Sequence, residues 1–533
     1  MAKKRADKAT PGATSHETSQ KTTQKTSEKA SQKTQTSRVF DMIERLGNKL
    51  PDPFVLFVVL ALIVIGLSAV ANALGASAEH PQTGDDEAVR SLLSGEGIQF
   101  MLTSMLENFT GFAPLGLVLG IMLGIGLVEQ VGYLDYAIRK SVSRVPGYLL
   151  PYMAVFVGIM GNIASDAAMV LIPPLMAMAF YKIGRHPIAG LVAGFAGAGA
   201  GFTANLMVAG TDALLAGITT EAARIVDDSV TVSPVANWYF NIVCVFVLTL
   251  VGGLITTRIT ERRLGTYDGD AVELEDDRAP TRREHKGFLL ATGAGLLYVA
   301  LIAVAVLIPG SPLQGEDGAV IESPFMDGIV PLILIFFIVI GVTYGIIVGK
   351  IKNTGDVSKH MAAAMATMGT YIVMVFAIAQ FIEYFNWSNL GLWVAVSGAE
   401  FLERVGFTGV LLILTYSLFT VLLNLLITSG SAQWALQAPI FVPMLMQLGY
   451  HPGFIQAAYR IGDSSTNIVT PLFPFMPVIL AYMQKYDKKA GIGTYISLML
   501  PYAVGFFIAF NIVLYVFFFL GIPFGPGVPV YLE

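Results

Sequence analysis

GSAQWALQAPIFVPMLMQLGYHP (residues 430–452) lies without gaps on SDAAMVLIPPLMAMAFYKIGRHP (residues 165–187), 265 positions earlier. Gly184, His186 and Pro187 fall on Gly449, His451 and Pro452, Pro174 falls on Pro439, and further on Gly197 falls on Gly462. Each copy ends an apolar segment, 148–181 or 407–448, that is too long for one membrane span of about 20 residues. Each segment is interrupted by a patch of small and polar residues, GNIASD and TSGSAQ. The pattern predicts two re-entrant helical hairpins in a repeated architecture.

Composition sets the class. Of 533 residues, 54% are hydrophobic and 13% charged, and the mean hydropathy is +0.65. That argues for one polytopic all-α membrane domain rather than several soluble ones. Spans are expected near 52–75, 111–132, 187–214, 235–257, 287–309, 327–349, 360–384, 453–484 and 491–521. The single Cys244 excludes an intrachain disulfide and a multi-cysteine metal site. No cleavable signal peptide is read at the start. Residues 1–37, rich in Lys, Thr, Ser and Gln, read as a disordered cytoplasmic tail. The acidic stretch 267–278, inside the linker 258–286, reads as solvated chain.

Charge orients the layout. With the amino terminus in the cytoplasm, the inner loops carry Arg139, Lys140, Arg144, Lys182, Arg185, seven basic residues in 258–286, Lys350, Lys352, Lys359, Lys485, Lys488 and Lys489; the outer loops carry Arg90, Arg224 and Arg404. This positive-inside bias exists only if 148–181 enters and leaves on the cytoplasmic side and 407–448 on the outer side. The expected fold is therefore nine transmembrane helices plus two hairpins of opposite orientation, with the carboxyl terminus outside. It divides into a first half, 38–257, and a second half, 287–533. Inverted repeats with interrupted helices are a secondary-transporter architecture, with the site near the midplane.

After each hairpin comes a span with a weakened middle, GFAGAGAGFTAN (194–205) in 187–214 and GDSSTNIVTPLFPFMP (462–477) in 453–484. Glycines and prolines there release carbonyls, which membrane depth tolerates only inside protein or along a cavity. Close helix packing by small residues is the other reading of the glycine run. A nest of such carbonyls with Ser, Thr and Asn oxygens suits a small cation. Asn162, Asp166, Gly199, Asn205, Thr466 and Asn467 are the Na⁺ candidates.

Of 33 Lys and Arg residues, Arg460 is the one outside every loop, tail and helix end. A charge at that depth faces a protein interior or a watery cavity, usually with a partner. Asp463, three residues on, shares its helix face. The two either form a structural pair or grip a substrate carboxylate, with Asp463 holding the guanidinium between cycles or accepting a proton. Trp434 is placed to stack on an aromatic ring or to pack against a neighbouring helix. Ser431 offers a hydrogen bond or a cap. Asn424 sits where the outer hairpin descends. Asp166 either approaches a cation or caps the returning helix, and Asp212 is a proton carrier or an interfacial carboxylate.

Enzyme signatures are missing. There is no G-x-x-x-x-G-K-[ST] loop and no H-E-x-x-H, GAGAGF has no surrounding βαβ unit, and Ser431 has no nearby His. A passive anion channel is a rival class, separable because only a coupled carrier concentrates its substrate.

SGSAQWALQAPIFVPMLMQLGYHPGFIQAAYRIGDSSTNIVTPLFPFMP, with GNIASDAAMVLIPPL and AGTD, resembles the p-aminobenzoyl-glutamate transporter (AbgT) family over roughly residues 38–525. The resemblance implies a homodimer in the bacterial inner membrane, of nine-span, two-hairpin subunits. It implies ion-coupled (Na⁺ or H⁺) transport of p-aminobenzoyl-glutamate or p-aminobenzoic acid, and export of sulfonamide antimetabolites. The partners would be that small aromatic substrate and the bilayer, with no nucleic acid and no cofactor beyond the coupling ion. The family's transport positions match Asp212, Asn424, Ser431, Trp434, Pro452, Arg460, Asp463 and Pro471. A Na⁺-coupled dicarboxylate transporter of related hairpin architecture is the alternative, and it should not need Trp434.

Overall fold

The computed structural model describes residues 53–79, 84–142, 145–164, 167–267, 269, 281–315, 318, 320, 323–366, 368–406, 408–470 and 472–532. The amino-terminal tail, most of the acidic stretch, Asp166 and Pro471 lie outside these residues.

Described secondary structure is helical apart from one two-stranded ribbon, Ser77–Glu79 with Asp86–Ala88, and two isolated bridges, Tyr450 with Tyr531 and Gly525 with Val528. Five described helices are long and apolar enough to cross a membrane: Phe54–Ala73, Trp238–Leu264, Arg282–Leu307, Ile329–Val348 and Ile492–Leu520. A sixth is possible by length if the bent pair Thr354–Ala366 and Tyr371–Trp387 counts as one span. Their outer faces leave Leu62, Leu67, Leu296, Leu301 and Phe519 exposed, as lipid-facing side chains would be. The remaining expected spans are built from shorter helices. Helices over Gly95–Thr103, Met105–Thr110, Tyr133–Val142 and Leu390–Arg404 were not foreseen, because their mixed polarity gives no continuous apolar run.

Each expected hairpin segment holds two described helices: Leu150–Gly161, with the 3-10 turn Asn162–Ala164 after it, and Ala167–Lys182 in the first, Gly409–Asn424 and Gly430–Gln447 in the second. Each return arm contains internal prolines, Pro173 and Pro174 in one, Pro439 and Pro443 in the other. The next helix in each half starts with proline, Pro187–Ala200 and Pro452–Thr466. The missing N–H is harmless at that position, where no intrahelical acceptor exists.

The weakened middles differ from expectation in extent. The first helix stays regular through Ala200, and the interruption is 201–209 before Gly210–Ala223. The second stays regular through Thr466, passes through a 3-10 turn at Asn467–Val469, and resumes at Met476. Both helices are wholly buried. With water excluded, intrahelical hydrogen bonds are the cheapest way to satisfy the backbone, so glycine and serine do not break the helix there. The small residues instead admit close neighbours. A Cβ on Gly197 would stand 2.3 Å from the Val155 carbonyl oxygen, and one on Gly462 would stand 2.6 Å from Thr420 Cβ. Val155 and Thr420 are themselves related by the 265-residue shift.

The two helices meet at their ends with the same symmetry. The Thr203 hydroxyl lies 2.6 Å from that of Ser464, and a Cβ on Gly199 would stand 2.4 Å from Ile468 Cγ2. Shifting by 265 residues carries Gly199 to Ser464 and Thr203 to Ile468. Each residue thus touches the other's equivalent, the signature of contact across a two-fold relation.

Candidate functional site

A cavity of about 310 Å³ opens where these interruptions meet. Its wall takes Phe202 from the first break and Thr211 from the helix after it, Ser429 and Ser431 from the second hairpin tip, and Asp463, Asn467, Phe473 and Phe475 from the second crossing segment. The tip is pressed onto Asp463: a Cβ on Gly430 would lie 2.8 Å from its Oδ2. Ser429 rather than Ser431 caps the return arm, accepting from the Ala432 N–H at 3.4 Å, and Ser431 Oγ stands 3.3 Å from Ser429 Oγ.

Arg460 is 1% exposed, and its partner is not the residue one turn away. Nη1 lies 2.8 Å from Asp212 Oδ1, across the repeat boundary. The helix Gly210–Ala223 presents Asp212 in its first turn, where Oδ2 accepts the Ala209 N–H at 2.7 Å. A carboxylate there is favoured by the helix dipole. Asn241 Nδ2 donates to Oδ1 at 3.5 Å. Asp212 is therefore a buried counter-ion in this conformation rather than an interfacial group. The consequence for Asp463 is direct. Both its carboxylate oxygens are buried without a hydrogen-bond donor among the described residues, and it faces the cavity.

Asn424, on the descending arm, ties hairpin to crossing helix. Its Nδ2 lies 2.8 Å from the Asp463 carbonyl, 2.9 Å from Thr466 Oγ1 and 2.9 Å from Asn467 Oδ1. One amide has only two protons for these three acceptors, while Asn424 Oδ1 is buried without a partner. Asn467 Nδ2 in turn reaches the Gly199 carbonyl at 3.5 Å. In the first half, Asn162 Nδ2 donates to the Ile159 carbonyl at 3.1 Å, and both polar side-chain atoms of Asn205 are buried and unpaired. The second-half candidates for a cation thus converge in space, and the first half contributes Gly199 to them.

Family membership is decided by sequence. A model of the AbgT putative transporter family matches residues 38–532. The chain belongs to the AbgT transporter family. The p-aminobenzoyl-glutamate transport protein of Escherichia coli (strain K12) is 42% identical over 498 residues, covering 93% of this chain and 97% of that one. Two solved structures are also similar. The Alcanivorax borkumensis YdaH transporter, described as having an unusual topology, gives a TM-score of 0.84 at 40% identity over 89% of this chain and all of that one. Neisseria gonorrhoeae MtrF, described as illuminating a class of antimetabolite efflux pumps, gives 0.87 at 42% identity over 92% of this chain and all of that one. This AbgT chain is accordingly a membrane transporter and not an enzyme.

In the AbgT chain Trp434 does not reach the cavity. Its ring is fully buried against Tyr459, centroids 4.4 Å apart, and Nε1 lies 3.0 Å from Thr219 Oγ1. That contact begins a chain of buried hydrogen bonds. Thr219 Oγ1 donates to Gln456 Oε1 at 2.6 Å, Gln456 Nε2 to Asn237 Oδ1 at 3.0 Å, and Asn237 Nδ2 to the Gly453 carbonyl at 2.7 Å, next to Pro452. Sequence reading passed over Gln456, Thr219 and Asn237. The available signal was a polar amide or hydroxyl inside an otherwise apolar buried segment.

Proposed function

We propose that this chain is an ion-coupled secondary transporter of p-aminobenzoyl-glutamate and p-aminobenzoic acid that also exports sulfonamide antimetabolites. The observation that carries the reading is the cavity at the crossing of the two halves, lined by phenyl rings, hydroxyls and one free carboxylate, one helical turn from a buried arginine. The 42%-identical relative named for p-aminobenzoyl-glutamate transport supports the substrate class, and the MtrF likeness supports antimetabolite export. Neither favours a dicarboxylate carrier.

In this proposal Arg460 exchanges Asp212 for a substrate carboxylate during the cycle, since a buried guanidinium needs an anionic partner at every stage. Asp463 and Asp212 are the groups that would carry a proton. Na⁺ would be held by the Asp463 carbonyl, Thr466, Asn467, Asn424 through its orphaned Oδ1, and Gly199, an all-oxygen set that suits a hard cation. The working unit is a homodimer of nine-span, two-hairpin subunits in the bacterial inner membrane, amino terminus cytoplasmic and carboxyl terminus outside.

Counterflow in proteoliposomes with labelled p-aminobenzoyl-glutamate and p-aminobenzoic acid, under separately imposed proton and Na⁺ gradients, tests this. Concentrative, gradient-dependent exchange is expected. Movement that only dissipates a gradient, or exchange of dicarboxylates with neither aromatic substrate competing, would sink it.

A further inference from the structure

We infer that Asp463 is the specificity-determining group for the amine end of the substrate: it selects a ring bearing an N–H donor, an arylamine, and turns away a ring that presents a carboxylate to it. This rests on the transport function proposed above and says which end of the substrate faces which residue.

The inventory of the cavity wall leads there. Phe202, Phe473 and Phe475 provide ring surface from both interruptions. Asp463 is the one ionisable residue among the described wall residues, and no lysine, arginine or histidine lines the cavity with it. Its two oxygens are buried without a donor. The guanidinium one turn away gives it no hydrogen bond, and its ion pair, at 2.8 Å, is with Asp212. A buried acceptor pair of this kind is costly until donors arrive. A second carboxylate brought beside it would add like-charge repulsion at low dielectric. An aromatic amine is neutral, supplies two N–H donors and lies in the plane of the ring that the phenylalanines grip.

The tightness of the wall adds to the case. Gly430 at the hairpin tip leaves no room for a side chain beside Asp463 Oδ2, so no side chain at that position stands between the carboxylate and the cavity. Spacing fits as well. Arg460 and Asp463 are three residues apart on one helix, about 4.5 Å along its axis, so a para-substituted ring can offer its amine to Asp463 while its acyl end points toward Arg460. The groups shared by p-aminobenzoyl compounds and by sulfonamides built on 4-aminobenzene are then the ring and the amine, not the acid. One pocket therefore admits both classes.

The test is equilibrium binding to the full-length protein in nanodiscs, with p-aminobenzoyl-glutamate, benzoyl-glutamate, which lacks only the amine, and the N,N-dimethylamino analogue, which keeps nitrogen but has no N–H. Wild-type protein should bind the amine about 10–100-fold more tightly than either analogue, the range for a hydrogen bond to a charged group. Asp463→Asn should reduce that preference to within about 3-fold, mainly by weakening the amine ligand, with benzoyl-glutamate unchanged or tighter. If wild-type protein binds all three alike, or Asp463→Asn keeps the preference, the inference fails while the transport proposal stands. If wild-type protein binds none of them, both fail. The dimethylamino comparison on wild-type protein decides the matter even if Asp463→Asn does not fold.

Discussion

The buried helix of the first half and its repeat equivalent in the second make corresponding contacts with opposite chemistry. Pro187–Ala200 is built of glycine, alanine and apolar side chains; Pro452–Thr466 carries Gln456, Arg460, Asp463, Ser464, Ser465 and Thr466 in equally buried surroundings. Shifted by 265 residues, Arg460 stands over Phe195, Asp463 over Ala198 and Gln456 over Leu191. What the halves share is shape: Gly197 and Gly462 against equivalent residues of their hairpins, and a common end-to-end contact. What they do not share is polarity. The comparison teaches that the repeat supplies the geometry of two helices meeting around a cavity, while the buried charged and polar side chains of these helices sit on one copy. The other copy lends Asp212, outside the aligned helix, as the counter-charge.

The largest effect is expected where the polarity lies. Arg460→Ala should abolish counterflow and, by leaving Asp212 buried and unpaired, lower stability by about 3–5 kcal/mol. Phe195→Leu at the equivalent site should cost about 1 kcal/mol and preserve transport. Thermal unfolding in detergent beside transport assays reads both, and a transport-competent Arg460→Ala protein would break the comparison. The shared geometry should show equal penalties. Gly197→Val and Gly462→Val each force a branched side chain into contact with a neighbour, costing about 1–3 kcal/mol or more, and a much milder effect in one half would show that the packing is not equivalent.

A smaller effect is expected at Trp434, which joins the halves through Thr219. Trp434→Phe keeps ring contact with Tyr459 but strands buried polar partners, at about 1–3 kcal/mol. Affinity for p-aminobenzoyl-glutamate should stay within about 3-fold of wild type, since a change below about 0.6 kcal/mol leaves binding nearly intact. A collapse of affinity without loss of stability would instead put the ring on the substrate.

The smallest effect separates the two histidine caps. His451 Nδ1 accepts the Gly453 N–H at 3.0 Å, whereas His186 Nδ1 is buried without a partner and its ring sits edge-on to Tyr267. His451→Ala should cost about 1 kcal/mol and His186→Ala less. Burial pushes the His451 imidazole down to about 4 from the usual 6.5. The unfolded chain therefore takes up a proton that the folded cap refuses. The cap's contribution is complete above about pH 6.5 and is lost as pH falls through about 4. Stability–pH curves of wild type and His451→Ala should converge across that window, and parallel curves would contradict the cap.

Much of this was legible in the linear chain. Composition settles a polytopic membrane protein, because runs of about 20 apolar residues have few other fates. The 265-residue repeat, the helices on either side of each small polar patch and the segments that meet at the cavity follow from spacing, prolines and those patches. Arg460 stands out because a membrane-buried charge is costly enough to be rare. The surface helices escaped notice because their faces mix polar and apolar residues, and the interruptions began later than their glycines suggested because complete burial enforces helical hydrogen bonding.

Partnership was decided only by the tertiary structure. Arg460 could have turned to Asp463, its neighbour on the same helix face, and sequence distance favoured that pair. The fold instead brings Asp212 to 2.8 Å from a position 248 residues away, frees Asp463 to face the cavity, and draws Trp434 into a hydrogen bond away from it. The physical reason is that a sequence fixes which groups must be satisfied once buried, since burial makes each unpaired charge or donor expensive. Which of several eligible partners satisfies each one depends on where packing puts the backbone, and that is a property of the assembled helices rather than of any one segment.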